Sequence, residues 1–298
     1  MMAGAFISLD WGTSSFRAYE VSAEGKVVNE AAAPEGILNV KDGTFEATLE
    51  KHIGGWSKSL PIVASGMITS RQGWLECAYA QCPASASDLA KSITRHTTSS
   101  GRAVHFITGL HYASPSIAHD VIRGEETQVL GACATEASHF ITRGTHCKWI
   151  DVAGEKISGF STYMTGESFA LYKQHSILGR LMKDAPEDET SFKKGVEKAF
   201  ADPAGLLHTL FSVRTLGLFD EIAPEHLASY LSGLLIGFEV AHATNGHDRD
   251  AKYMVLGSAT QAATCITALK LAGLNVALGD PLCGINGQRL IATEAGIL

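Results

Sequence analysis

Residues 5–15 read Ala5-Phe6-Ile7-Ser8-Leu9-Asp10-Trp11-Gly12-Thr13-Ser14-Ser15. The apolar stretch over 5–9 predicts a strand that ends on an acid. A Gly/Thr/Ser bend follows at 12–15, and a second strand is expected over 16–21. Ala23-Glu24-Gly25-Lys26 forms a hairpin-type turn, and 27–31 reads as a third strand. The chain thus opens as an antiparallel unit with a carboxylate and a hydroxyl-rich bend at its first corner. A carboxylate at a strand end can hold Mg²⁺ through water. Gly12 lets backbone N–H groups approach a phosphate, and the hydroxyls of Thr13, Ser14 and Ser15 add donors. The same residues can also make an ordinary capped turn.

The unit recurs. A strand is expected over 139–142, a bend at Arg143-Gly144-Thr145-His146, a strand over 148–152, a turn at Ala153-Gly154-Glu155-Lys156 and a strand over 157–163. Both units place a Gly-Thr bend after the first strand and a glycine turn after the second. This implies an internal duplication with a nucleotide between two halves. Helical spacing is read over 45–58, 86–95 (behind Ser85 as a cap), 125–137, 191–200, 224–242 and 261–272, and strands over 61–65, 104–108, 253–256 and 276–278. The alternation predicts an α/β protein of two domains. The expected boundary lies near Ala118, giving domains 1–118 and 119–298.

Composition narrows the partners. The chain has 298 residues and a net charge of -7, with no Lys/Arg run, so a nucleic-acid partner is not expected. Six cysteines at 77, 82, 133, 147, 265 and 283 form no CxxC pair and read as free thiols of a reducing compartment. The first residues lack the basic and apolar regions of a signal peptide, and the longest apolar run, over 231–241, is too short to span a bilayer. A cytoplasmic location with no membrane partner is the expectation. The oligomeric state stays open, a homodimer among the options.

Three further segments carry chemistry. Gly144-Thr145-His146-Cys147-Lys148 repeats the first bend and adds a cation, Lys148, that could neutralise a transferring phosphoryl group. The His-Cys pair lacks further ligands at zinc spacing. Val255-Leu256-Gly257-Ser258 runs from a strand into a helix, where small residues could admit the adenosine side of a nucleotide. Arg123-Gly124-Glu125-Glu126-Thr127-Gln128 opens a helix with two acids. These suit the helix dipole, or one of them serves as a general base. No Walker, Rossmann, HExxH or GxSxG string is present.

Taken together, the four segments occur in the chain order of the actin/hexokinase/Hsp70 ATPase fold: phosphate 1, catalytic carboxylate, phosphate 2, adenosine. Asp10-Trp11-Gly12, Ala64-Ser65-Gly66-Met67, Arg123-Gly124-Glu125-Glu126-Thr127-Gln128, Gly144-Thr145-His146-Cys147-Lys148-Trp149, Thr165-Gly166-Glu167 and Leu231-Ser232-Gly233-Leu234-Leu235-Ile236-Gly237 resemble the motifs of the 2-keto-3-deoxygalactonate kinases. The resemblance departs at Arg143, where the family carries proline.

The resemblance implies a two-domain actin/hexokinase-like (ribonuclease H-like) fold with ATP in the inter-domain cleft. It also implies transfer of phosphate from ATP, with Mg²⁺, to the 6-position of the sugar acid in galactonate breakdown. Asp10 would be the metal-associated acid, 12–15 and 144–148 the phosphate loops, and Gly257 and Ser258 the adenosine flank. Glu125 takes the place of the catalytic acid of related sugar kinases, with Glu126 as the alternative. Gly66, Met67 and Ser70 would line the sugar, with Trp74 either a wall against its C–H face or a core residue. The substrate carboxylate calls for a guanidinium, with Arg17 and Arg123 ahead of Arg71. A kinase for another sugar would show the same ATP motifs. An actin-like or chaperone-like switch would need insertions for which the chain has no spare segment.

Overall fold

The computed structural model describes residues 4–113, 116–133, 137–248 and 250–298. They form two compact units: Met1–Glu136 with Ile150–Phe160 and Asp280–Leu298, and Ala137–Trp149 with Ser161–Gly279. This differs from the boundary expected near Ala118. The helix opened by Glu125 stays with the first unit, and so does the C-terminal helix, which packs against it.

The first unit contains β1 (Gly4–Trp11), β2 (Phe16–Ser22), β3 (Val27–Ala33), β4 (Ile62–Ser65), β5 (Ala80–Gln81), β6 (Thr94–Thr97), β7 (Ala103–Phe106), β8 (Leu110–Tyr112) and β9 (Asp120–Ile122). Its main sheet has the order β3-β2-β1-β4-β7-β6, and β5, β8 and β9 form a small separate sheet. β1 is antiparallel to β2 and parallel to β4, with Asp10 opposite Arg17 on one side and Ser65 on the other. Ile7, Leu9, Trp11, Phe16, Ile62 and Ala64 bury one continuous core against Phe45, Leu49 and Ile53 of helix Phe45–Ile53.

The second sheet is built from β10 (His139–Thr142), β11 (Cys147–Ala153), β12 (Lys156–Tyr163), β13 (Lys252–Leu256) and β14 (Asn275–Leu278), in the order β12-β11-β10-β13-β14. β10, β13 and β14 are parallel. Disregarding the edge strand β6, both sheets follow one plan: a hairpin pair, the first strand of the half, then two parallel strands. The recurrence read from the two Gly-Thr bends is therefore a repeat of whole sheets. Asp10 at the end of β1 corresponds to Thr142 at the end of β10, and Gly66 after β4 to Gly257 after β13. Both glycines adopt positive φ, 95° and 122°, the region open to glycine but strained for other residues.

The second unit also holds a helical layer. Gly233 and Gly237 lie on one face of helix Leu227–Ala243, where side chains would strike the backbone of helix Glu189–Ala201. The Leu-Ser-Gly-Leu-Leu-Ile-Gly string is thus a close helix–helix contact.

Several expected elements differ. The helix expected over 45–58 ends at Ile53. Gly54 and Gly55 follow, and the fully buried Arg102 donates to the carbonyls of Ile53, Trp56 and Ser57 while pairing with Glu50. Such a cation satisfies the carbonyls a helix leaves open at its C-terminus. The helix expected over 86–95 keeps its Ser85 cap, with Asp88 completing a capping box, but stops at Ala90 before β6. The helix expected over 125–137 ends at Ala132, and its extension over 134–136 lies outside the described residues. Helices Thr165–His175 and Cys283–Glu294 were not expected. The second contains Gly284 and Gly287, poor helix formers that only tertiary packing accommodates.

Candidate active site

Three chain segments meet at the end of β1. Gly66 leaves β4 with φ 95° and ψ -162°. A Cβ placed on it would lie 3.0 Å from the Trp11 carbonyl and 3.2 Å from Asp10 Oδ1. Gly124, at φ 112°, approaches so closely that its Cβ would lie 3.1 Å from the Gly66 Cα. Gly124 is also the N-cap of helix Glu125–Ala132. Two glycines at restricted backbone angles therefore bring the Asp10 carboxylate and the start of the two-acid helix together.

The three acids have different surroundings. Asp10 is densely surrounded by protein, yet 41% of its side chain still reaches solvent, and Arg17 Nη1 stands 3.7 Å from its Oδ2. Desolvation raises its pKa, Arg17 pulls it back, and the Glu125 carboxylate adds a further upward push. Because the recess is open, solvent softens this balance. Glu126 is fully buried. Both its oxygens accept from the Gly124 N–H, at 2.9 and 2.7 Å. Burial and then repulsion from Glu125 raise it to about 8 against the opposing pull of these N–H groups and Arg123. Glu125 is half-buried, and its Oε2 accepts from the Arg123 N–H at 2.9 Å. Of the two glutamates, the one that shares the field of Asp10 and keeps solvent contact is Glu125.

The bend at 12–15 is closed by Gly12 N–H donating to the Ser15 carbonyl at 2.9 Å. It is braced from behind by Gly36-Ile37-Leu38: Ile37 and Leu38 donate to the carbonyls of Gly12 and Thr13. A side chain at Gly36 would collide with the backbone of Thr13 and Ser14. Thr13 and Ser14 themselves are exposed.

The residues expected to line the sugar separate into two kinds. Met67 opens a short 3-10 turn and packs half-buried on the core of the first sheet. Ser70 closes that turn, and its buried Oγ has no hydrogen-bond partner among the described residues. Trp74 stacks on Phe45 with centroids 6.1 Å apart and meets Phe106 and His96 edge-on. Its half-buried ring packs against the core of the first sheet. Arg123 donates through Nη1 to Thr69 and through Nη2 to the Cys77 carbonyl, and its guanidinium lies 4.1 Å over the Tyr79 ring. Both terminal nitrogens are thus used within the protein, while its buried Nε has no partner among the described residues. Arg17, with 51% of its side chain exposed, retains a guanidinium edge beyond its contact with Asp10, and Arg71 is exposed.

In the second unit the bend at 144–146 is exposed, and helix Thr165–His175 packs on it. A side chain at Gly166 would strike the Gly144 carbonyl. Glu167 donates its N–H to the Thr145 carbonyl at 2.9 Å, and its carboxylate meets His146 Nε2 at 2.6 Å. The Thr-Gly-Glu string is therefore the brace of this bend. Arg143 is held by the buried Glu239 through Nη1, 3.0 Å from both carboxylate oxygens, and Trp149 Nε1 donates to the same group at 2.8 Å. Lys148 donates to Thr162 Oγ1 at 2.9 Å, so its ammonium lies along the sheet. Gly257 and Ser258 begin helix Ala259–Leu271, with Ser258 and Gln261 in a reciprocal capping box.

One residue near Asp10 escaped the sequence reading. Gln288, of helix Cys283–Glu294, donates to the Leu9 carbonyl at 3.0 Å and to Ser65 Oγ at 2.8 Å. The glycines at 284 and 287 were the only sequence sign that this segment packs closely.

Twin sheets with glycine bends at their strand ends, the first closed by Asp10, define the actin/hexokinase-like ATPase fold. The fold is shared with the activator of 2-hydroxyisocaproyl-CoA dehydratase from Clostridium difficile, at TM-score 0.53 and 12% identity over 98% of this chain and 95% of that one. The chain belongs to the 2-keto-3-deoxy-galactonokinase family, which matches it over residues 10–287. It is 36% identical to the Rhizobium meliloti (strain 1021) protein named "Probable 2-dehydro-3-deoxygalactonokinase", with 93% of each covered. It is 33% identical to the 2-dehydro-3-deoxygalactonokinase of Escherichia coli (strain K12), with 80% of each covered. A crystal structure of a candidate 2-dehydro-3-deoxygalactonokinase from Sinorhizobium meliloti superposes at TM-score 0.91 and 33% identity, covering 98% of this chain and 100% of that one.

Proposed function

We propose that this chain transfers the γ-phosphoryl group of ATP to the 6-hydroxyl of 2-keto-3-deoxygalactonate, giving ADP and the 6-phosphate, as a cytoplasmic step of galactonate breakdown. The observation that supports the site assignment is the meeting of Asp10, Gly66 and the Glu125 helix start at one strand end. Glu125 is the general base: it accepts the proton of the attacking hydroxyl as the O–P bond forms. Thr13, Ser14 and Ser15 are the phosphate donors of the first unit, and Gly144 and Thr145 those of the second. Gly257 and Ser258 give the adenosine a side-chain-free approach. Arg17 holds the substrate carboxylate, because Arg123 is already committed to Thr69, Cys77 and Tyr79.

Magnesium fits the donor set. Asp10 offers an open carboxylate already under strain from desolvation and from Glu125, and a hard divalent cation relieves that strain. Bound there, it would supply charge neutralisation to the transferring phosphoryl group.

The test is ADP release, measured with 2-keto-3-deoxygalactonate, its gluconate epimer and a neutral sugar. Turnover of the galactonate acid above both others supports the reading. Equal turnover of the neutral sugar removes the acid as substrate and leaves a sugar kinase.

A further inference from the structure

Gln288 is 1% exposed. Its Nε2 donates to the Leu9 carbonyl and to Ser65 Oγ, so both amide hydrogens are used. Leu9 immediately precedes Asp10, and Ser65 immediately precedes Gly66. Asp10 and Ser65 are register partners on neighbouring parallel strands. One side chain therefore ties together the two strand ends from which the carboxylate and the close-approach glycine emerge.

The same helix turn also fixes the third segment. A side chain at Gly287 would collide with the Thr127 carbonyl, and one at Gly131 with the Cys283 carbonyl. Helix Cys283–Glu294 thus lies backbone-to-backbone on helix Glu125–Ala132. Meanwhile Gln288 Oε1 is buried with no partner among the described residues. A buried unpaired acceptor lowers stability, while the two bonds from Nε2 satisfy the Leu9 carbonyl and the buried Ser65 hydroxyl.

We propose that Gln288 is a positioning residue for phosphoryl transfer: it sets the spacing of Asp10 against Gly66 and indexes both to the Glu125 helix. The inference rests on the reading of Asp10 as the metal-associated acid.

The test compares wild type, Gln288→Met, Ser65→Ala and the double variant. Three quantities are measured: Tm without ligand, Mg²⁺·ADP affinity by calorimetry, and kcat and KM with the sugar acid. Gln288→Met is expected to stay folded with a modestly lowered Tm, to weaken Mg²⁺·ADP at least tenfold and to lower kcat at least tenfold, with KM for the acid within twofold. Ser65→Ala, the milder change, is expected to lose at least threefold in kcat, and the double variant no more than the larger single loss. Wild-type ADP affinity in folded Gln288→Met overturns the proposal. So does a fall in Tm that accounts for the lost activity while Ser65→Ala stays fully active. Because ADP binding does not involve the sugar, a wrong substrate assignment shows separately, as wild type that binds Mg²⁺·ADP but does not turn over the acid.

Discussion

Gly66 and Gly124 meet back to back, the Cβ position of one lying 3.1 Å from the Cα of the other. Each also holds a positive φ. Gly66→Ala and Gly124→Ala are therefore expected to destabilise by about 1–3 kcal/mol from backbone strain, before any steric term. Both should reduce kcat more than Tm alone explains, since either shift moves Glu125 away from Asp10. Thermal melts and steady-state kinetics on the two variants check this. A variant with wild-type kcat would mean that the contact serves the fold only.

Asp10→Asn should keep the fold and lose turnover by orders of magnitude, because phosphoryl transfer depends on charge placement more than on covalent chemistry. The substitution also frees Arg17 from its partner at 3.7 Å. Circular dichroism reports the fold and ADP release the chemistry. Near-normal turnover removes Asp10 from the site.

The two glutamates should separate kinetically. Glu125→Gln is expected to lose roughly 10²–10⁴-fold in kcat, the usual contribution of a general base. Glu126→Gln should lose far less, since the amide oxygen can still accept from Gly124. The reverse ranking transfers the base role to Glu126.

Glu126 should also set a pH dependence of stability. Its folded pKa is raised from 4.5 to about 8 by burial and by Glu125. Between these values the folded chain keeps a proton that the unfolded chain has released. Stability is therefore highest below about 4.5 as far as this group is concerned, and falls as pH rises towards about 8. Asp10, also raised, acts in the same sense. Denaturant melts from pH 5 to 9 should show Glu126→Gln gaining on wild type as pH rises. A constant difference across the range would contradict this.

The two arginines should part company. Arg17→Ala is expected to raise KM for the sugar acid roughly ten- to a hundredfold, the loss of one charge-assisted pair, with little change in Tm. Lysine at this position should rescue only in part, since it lacks the fork. Arg123→Ala should instead lower stability by at least about 1.5–3 kcal/mol, through the contacts with Thr69, Cys77 and Tyr79. Parallel KM and Tm measurements distinguish the two. A raised KM in Arg123→Ala at unchanged Tm would return the carboxylate to Arg123.

The sequence carried the strand ends well, because Asp10, Gly12, Gly144 and Gly257 sit where local chain chemistry is most restrictive. It also carried the repeat, whose strand order is a property of whole sheets but whose Gly-Thr bends are local. Roles that depend on distant partners were not legible. Trp74 reads equally as a sugar wall or a core residue until Phe45 and Phe106 are seen beside it. The contacts of Arg123 with Thr69, Cys77 and Tyr79 lie 44 to 54 positions away in sequence and leave no local trace. Arg143, the departure from the family pattern, found its reason in Glu239, 96 residues away. Gln288 lies 279 residues from Leu9, and no periodicity announces that contact.

Helix Cys283–Glu294 belongs to the first unit although it follows the whole of the second in the chain. During synthesis the Asp10 strand end therefore waits, without Gln288, until the ribosome has made every residue of the second unit. Domains that form as their sequence emerges usually complete in chain order, but here the unit begun first is finished last. A nascent chain that stops before residue 283 would lack the helix whose Gln288 ties the Leu9 and Ser65 strand ends together.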